Sequence, residues 1–384
     1  MAQAILVQEA FPSQAFAALL EERLQRIQLT RNMATTAQDF PVRTLCMSNL
    51  PSVHLSQGSS IDPNLLASGI FSRSKHSMSP KRNAAKSHQV TDPHDAVCSM
   101  PGILGVHDLL GVGSFGYVYR CTFEGVTEQV AVKVLFQNML SLEQNREVTL
   151  LQELHHPNLV RLLEVVHGSL QGLVLELCAG GSLQELLHGP NAQCLLMGLG
   201  LQQRVKAALD VASAVEYLHS AGIVHRDVKS GNAFLSQPVA PGAVALPLVK
   251  LGDLGLARFV APTAAMMTQG VGTVRYMAPE VIVSSLYGLA ADIFSCGILL
   301  HELVTGMLPY GGGKKMNDGV LTMAIMGGQR PPIDAIPGGD IGTCLKLLLE
   351  ECWAGDPDRR LSASDLVCRL RLAMGSGNGN YHLN

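Results

Sequence analysis

The sequence contains nine cysteines, an odd number scattered from Cys46 to Cys368, and not one C-x-x-C pair. That pattern fits neither a disulfide framework nor a zinc cluster, and it points to a reducing, cytoplasmic setting. An excess of one charge is also missing. The 28 Lys and Arg stand against 31 Asp and Glu, a formal net charge of -3, which offers no electrostatic footprint for nucleic acid or an anionic membrane. Nor is there a clean membrane span. The nearest contender, Val281 to Val304, carries Asp292, His301 and Glu302. An aspartate near a helix centre costs about 2.5–3.5 kcal/mol to insert, so a buried core helix with a satisfied carboxylate is expected instead. The N-terminus lacks the cationic stretch and apolar run of a secretory signal, and Glu9, Glu21 and Glu22 are out of place in an acid-poor transit peptide. A soluble chain is expected.

What is present is material for a core. The 384 residues are 47% apolar and 15% charged, which suits one large domain or two modest ones and excludes wholesale disorder. Phe16, Leu20, Leu24 and Ile27 recur at helical spacing behind Ser13, which predicts a short amphipathic helix over 13–29. From Asn32 to Thr91 the periodicity is gone. Six basic residues (Arg43, Arg73, Lys75, Lys81, Arg82, Lys86) against Asp39 and Asp62 read there as a flexible, solvated tether, with docking or targeting the other use of Arg73 to Lys86. Beyond Pro101 strand-like alternation begins, and from about Ser182 long helical patterns take over. A β-rich start and an α-rich remainder make an α+β arrangement. The expected organisation is an extension over 1–100, a folded domain over 103–373 and a disordered Gly-Ser-Asn tail over 374–384.

Gly111-Val112-Gly113-Ser114-Phe115-Gly116 is by itself ambiguous, because glycines at this spacing also open dinucleotide-binding folds. Its context differs. A dinucleotide loop runs into a helix, whereas Tyr117 to Phe123 alternates like a strand, so strand, loop and strand form a hairpin that folds over phosphates. Glycines let backbone N–H groups approach an anion closely. Val130-Ala131-Val132-Lys133 then reads as a strand presenting one lysine, which can neutralise phosphate oxygens if a carboxylate orients it. Glu147, in the helical stretch 138–153 and on the same face as Leu151, is the candidate.

With these residues together the chain resembles the eukaryotic protein kinases, whose Lys–Glu pair Lys133 and Glu147 match. The resemblance implies a bilobal kinase fold: a small β-rich N-lobe with one main helix, and a large, mainly helical C-lobe. His225-Arg226-Asp227-Val228-Lys229-Ser230-Gly231-Asn232 is the most specific window. By resemblance Asp227 accepts the substrate hydroxyl proton, Lys229 steadies the γ-phosphate, and Asn232 and Asp253 hold magnesium. Asp253-Leu254-Gly255 carries Leu254 where Phe is usual. Ala278-Pro279-Glu280 closes the segment that Asp253 opens, and Arg360 matches the arginine that the family pairs with Glu280. Asp292, with Ser295 and Gly297, resembles the central-helix motif whose aspartate binds the catalytic-loop backbone. For ATP, the resemblance places Val118 and Ala131 above adenine and Phe234 below, Leu175 as gatekeeper, and Glu176 to Cys178 as hinge. Cys178 is read as a small apolar hinge residue, with a reactive thiol as the alternative.

Lys229, two residues after Asp227, and Gly272-Thr273 resemble serine/threonine kinases, and the surrounding motifs are most similar to the tyrosine-kinase-like branch of mixed-lineage and Raf-like enzymes. Tyr276 and Phe294 stand where tryptophan is usual, Leu361 replaces proline, and Gln237 to Pro247 is an apolar insertion. The implied partners are ATP, magnesium, protein substrates with serine or threonine acceptors, and an upstream kinase acting on Thr263 or Thr268. Phosphate on Thr273 would inhibit by blocking Asp227. A pseudokinase scaffold on the same fold is the alternative, although Lys133, Glu147, Asp227, Asn232 and Asp253 are all present.

Overall fold

A computed structural model of the chain describes residues 93–113, 116–135, 152–167, 171–190, 192, 199–240, 242–254, 258–259, 274–283, 288–311 and 317–375. The expected 13–29 helix, the 32–91 tether, most of the 138–153 helix and the tail beyond 375 lie outside the described residues; Met374 and Gly375, expected in the disordered tail, instead finish the last helix, Ala363–Gly375.

The N-terminal lobe is a five-stranded antiparallel sheet in the order β1-β2-β3-β5-β4. Its strands are β1 (Ile103–Gly113), β2 (Gly116–Phe123), β3 (Val130–Leu135), β4 (Leu162–His167) and β5 (Gln171–Glu176). The strand that follows the glycine loop pairs antiparallel with β1, which rules out the strand-to-helix geometry of a dinucleotide fold. At Gly116, opposite Leu135, a Cβ would collide with the Val134 carbonyl, so only glycine lets β2 come this close to β3.

Register sorts the side chains into two faces. Val118 sits opposite Lys133, Lys133 opposite Leu173, and Ala131 opposite Leu175. Opposed residues and residues two apart share a face, so Val118, Ala131, Lys133, Leu173 and Leu175 line one side of the sheet. Val130, Val132, Val134 and Val174 turn to the other, where they join Cys121, Tyr119 and Val166 in a small core. That core has a lid. Helix α1 (Pro93–Cys98) buries Ala96 and Val97, and Met100 follows them onto the sheet. All six residues of β3, the central strand, are buried.

The C-terminal lobe is helical: α2 (Leu183–His188), α3 (Leu201–Ser220), α4 (Pro279–Val283), α5 (Ala290–Thr305), α6 (Asp318–Met326), α7 (Asp340–Cys352) and α8 (Ala363–Gly375). Ser182 and Glu185 close a reciprocal capping box on α2. Helix α5 is the axis, with Ala291 to Val304 all buried against α3 and α7. It ends at Gly306, whose φ of 69° is the left-handed conformation that a helix stop requires. The apolar run around Asp292 is therefore a core helix, as expected, and no described helix is long and apolar enough to cross a membrane. Two ribbons, β6 (Ile223–Val224) with β9 (Arg258–Phe259) and β7 (Ala233–Leu235) with β8 (Val249–Leu251), sit at the lobe's upper edge. The apolar insertion is anchored at its far end. Leu246 is buried in the core and its N–H donates to Gln203 Oε1 on α3 at 3.0 Å.

Candidate active site

The loop between β6 and β7 is held from below by one buried carboxylate. Asp292 Oδ2 accepts the His225 N–H and Oδ1 the Arg226 N–H, each at 2.8 Å, while His219 Nε2 lies 2.9 Å from Oδ2. Burial raises the Asp292 carboxyl. The His219 hydrogen bond and charge, His225 and the Arg226 amide outweigh that and hold it below its ordinary value. So anchored, Arg226 adopts a φ of 75°, a left-handed state that a non-glycine residue keeps only where its surroundings enforce it. The Asp227 N–H donates to His225 Nδ1 at 3.3 Å, and the opposite ring nitrogen faces the Gly252 carbonyl at 3.0 Å. This pairing selects the Nε2–H tautomer of His225.

Asp227 is the centre of the polar cluster. Lys229 Nζ reaches its Oδ2 at 2.6 Å, and Asn232 Nδ2 donates to the same oxygen at 2.9 Å and to the Asp227 carbonyl at 2.8 Å. The Asn232 amide N–H₂ is thus engaged, which leaves its oxygen as an acceptor for a cation. A second pair forms across the lobes, where Lys133 Nζ of β3 donates to Asp253 Oδ1. Asp253 has a φ of 59°. Burial raises its carboxyl, and Lys133, by charge and hydrogen bond, then His225 and Lys229 bring it below its ordinary value.

The expected residues fall around this cluster. Gly111, Val112 and Gly113 end β1 and Gly116 begins β2, with Val118 and Ala131 on the same sheet face as Lys133. Phe234, half-buried between the buried Ala233 and Leu235, brings its ring against Gly252 beside Asp253. Glu176 turns its carboxylate outward, to the Arg161 N–H and to Lys250 Nζ, both at 2.8 Å, so only its backbone is left to face a nucleotide. Burial, reinforced by Glu176, pushes the Cys178 thiol up to about 12. A protonated thiol is a poor nucleophile, in keeping with the apolar hinge reading. Leu254, in place of Phe, packs on the C-lobe core. Ser114, Phe115, Glu147, Thr263, Thr268 and Thr273 lie outside the described residues, as do Leu151, Gly255 and Gly272.

Two supports are formed as read from the sequence: Arg360 grips both oxygens of Glu280, and Asp292 binds the catalytic-loop backbone. Ser295 Oγ adds a bond that the sequence did not announce, donating to the Tyr276 carbonyl at 2.7 Å. Others were missed: His219 as a partner of Asp292, and a group in which the buried Ser230, Tyr276 and Glu302 meet the more exposed His188. Glu302 stands in the sequence as a charge in an apolar run, and the logic that demands a partner for Asp292 demands one for it too.

A strand-borne lysine paired to one carboxylate, beside a second carboxylate flanked by lysine and asparagine, between a β-rich and a helical lobe, defines the protein kinase class of fold and site. Residues 104–370 match the protein kinase domain, and the chain belongs to that family. It is 32% identical over 269 residues to serine/threonine-protein kinase STY17 of Arabidopsis thaliana, covering 69% of this chain and 43% of the relative. It is also 32% identical over 280 residues to human mitogen-activated protein kinase kinase kinase 11, covering 70% of this chain and 31% of the relative. A putative mitogen-activated protein kinase kinase kinase 7-like protein of Drosophila melanogaster shares 33% over 263 residues, 67% of this chain and 63% of that one. The chain thus spans less than half the length of the first two. These names agree with the serine/threonine, mixed-lineage-like assignment.

Proposed function

We propose that the chain transfers the γ-phosphate of ATP to serine or threonine hydroxyls of proteins. The observation that carries this is the double convergence of Lys229 and Asn232 on Asp227, and of Lys133 on Asp253. Asp227 takes the proton of the acceptor hydroxyl as its oxygen bonds to the γ-phosphorus and the bond to the ADP oxygen breaks. Lys229 neutralises charge on the moving phosphoryl group, and Lys133 does so on the phosphates left behind. The Asp253 carboxylate and the Asn232 amide oxygen suit a magnesium ion, which takes few protein oxygens and completes its shell with water and phosphate. Bound there, it would supply charge neutralisation across the phosphates.

Thr268, and after it Thr263, are the proposed acceptors for an activating phosphate, since Arg226 beside Asp227 provides a cation for it to meet. Full activity of the Thr263→Ala/Thr268→Ala double variant would remove that part.

The deciding experiment is incubation of the purified protein with labelled ATP and magnesium, followed by phosphoamino-acid analysis. Phosphoserine or phosphothreonine above the level of Asp227→Asn is expected. ATP binding with no such excess would assign the chain to the pseudokinases.

A further inference from the structure

Glu302 lies near the end of α5 with its side chain 0% exposed. Three groups from three other elements meet it. Ser230 Oγ donates to Oε1 at 3.0 Å, Tyr276 OH donates to Oε2 at 2.6 Å, and His188 Nε2 lies 2.8 Å from Oε1. Ser230 is also wholly buried and begins the 3-10 turn Ser230–Asn232. Tyr276 ends the turn Val274–Tyr276, and His188 is the last residue of α2.

A buried carboxylate is tolerated when hydrogen bonds satisfy it, and bonds to an ionised acceptor are about twice as strong as neutral ones. Each hydroxyl has one proton. Both are committed to Glu302, although the two hydroxyl oxygens also lie 3.0 Å apart. The carboxylate therefore fixes the direction of both side chains. Burial, with the charge of Glu302 added, raises the Tyr276 phenol far above its ordinary value, so it stays a donor.

The consequence lies in what Ser230 joins. It follows Lys229 directly, and the turn it opens is closed by the Asn232 N–H donating to the Lys229 carbonyl at 3.1 Å. Both groups that hold Asp227 flank the serine that Glu302 holds. Tyr276 is gripped at its other end by Ser295, so the close of the segment leading to Glu280 is tied to the same carboxylate.

We propose that Glu302 is a positioning residue for phosphoryl transfer, setting Lys229 and Asn232 through the Ser230 hydroxyl and the end of the activation segment through Tyr276. The proposal rests on the kinase reading above, since Lys229 and Asn232 matter only if Asp227 is the base. Reacting groups misplaced by about 1 Å can cost a factor of about 100, so the effect should show in turnover before it shows in nucleotide affinity.

The test uses the full chain with Ser230→Ala, Tyr276→Phe and Glu302→Gln. Glu302→Gln is nearly isosteric and replaces one acceptor oxygen with a donor that faces a hydroxyl proton. Steady-state rates with labelled ATP and dephosphorylated casein, thermal melting, and hydrogen–deuterium exchange of peptides covering 225–235 and β3 are measured together. A fall in kcat of about tenfold or more with KM for ATP within about twofold is expected. Exchange should quicken at 229–232 and not in β3. The Ser230→Ala/Tyr276→Phe pair should lose less than the product of its single losses, because both act through one carboxylate. A kcat within twofold of wild type, or a loss matched by uniformly faster exchange and lower melting, overturns the proposal. If wild type itself shows no turnover, the kinase reading fails separately. Exchange at 229–232 then decides: local deprotection supports the positioning role, and unchanged or uniform exchange rejects it. Should Glu302→Gln not fold, the two hydroxyl deletions decide by the same criteria.

Discussion

Arg360 holds Glu280 with two parallel hydrogen bonds, Nη1 to Oε1 at 2.7 Å and Nη2 to Oε2 at 2.8 Å. Two more of its donors reach the Ala290 and Ala354 carbonyls, both at 2.9 Å, and its guanidinium lies 5.1 Å from the Phe294 ring centroid. One side chain thus pins the start of α4, the start of α5 and the approach to α8. Arg360→Ala leaves a largely buried Glu280 without its partner, which costs about 3–5 kcal/mol. The melting temperature should drop by about 6 °C or more, at about 2–4 °C per kcal/mol for a domain of this size. Arg360→Lys, which cannot bind both oxygens, should fall between. An unchanged melting curve for Arg360→Ala would mean that the pair is idle.

This latch was legible in the sequence because both partners sit in local motifs, Ala278-Pro279-Glu280 and Asp356 to Leu361. So was Asp292, since a lone acid in an apolar run must find donors, and it finds backbone N–H groups of the catalytic loop. The hairpin over the glycine loop was readable from the alternation after Gly116. Less readable was the group around Glu302, drawn from four elements up to 114 residues apart. No spacing rule covers such a set. Helix α1 also escaped, because six residues, Pro93–Cys98, are too few for helical periodicity to register. The outward turn of Glu176 depends on Lys250, a contact between strands that only folding brings together.

Asp227→Asn and Lys133→Met should each lower turnover by about 10²–10⁴-fold or more while leaving a cooperative melting transition. Asn at 227 cannot take the hydroxyl proton, and Met at 133 leaves Asp253 without the cation that holds it down. Single-turnover kinetics over a range of ATP concentrations separates the two. The Asp227 variant should bind ATP normally, and the Lys133 variant should bind it more weakly. Turnover of Asp227→Asn equal to wild type would remove Asp227 as the base.

His156 gives a pH prediction. Its ring stacks on Tyr217 at 5.2 Å, and its Nδ1 accepts the Asn158 N–H at 3.1 Å. Burial, with Lys250 adding to it, lowers its pKa from 6.5 to about 4. Between those values the unfolded chain binds a proton that the folded chain refuses, so stability falls as pH is lowered from 6.5 towards 4, and this group contributes no further change below that. His156→Phe keeps the stack and cannot titrate. Its loss of the Asn158 hydrogen bond is a constant offset, so denaturant melts at pH 7, 6, 5 and 4 should show a shallower slope than wild type. Identical slopes would show that His156 titrates normally in the folded protein.

Among the described residues the folded unit starts at α1, ahead of the first strand. Val97 and Met100 are 0% and 3% exposed, and they cover a face of the sheet that carries Cys121, Val132 and Val174, each 0% exposed. Gly172 makes room for Met100, since a Cβ there would press on Met100 Sδ and Val166. Fully burying a Val or Met side chain is worth about 1.5–3 kcal/mol. A chain that begins at Ile103 therefore loses both burials and wets an apolar face, whereas one that begins at Asp92 keeps them. The shorter chain should melt several degrees lower, and Val97→Asp in the full chain should imitate it by forcing a charge against the sheet. Melting alone does not locate the damage, but Cys121 does. Burial, with Cys98 adding to it, pushes its thiol up to about 11, and both features protect it from a thiol reagent. Removing α1 should speed the labelling of Cys121 sharply, with the Lys133–Asp253 side of the sheet still binding ATP. Equal labelling rates for chains starting at Asp92 and at Ile103 would show that the sheet closes over Cys121 without the helix.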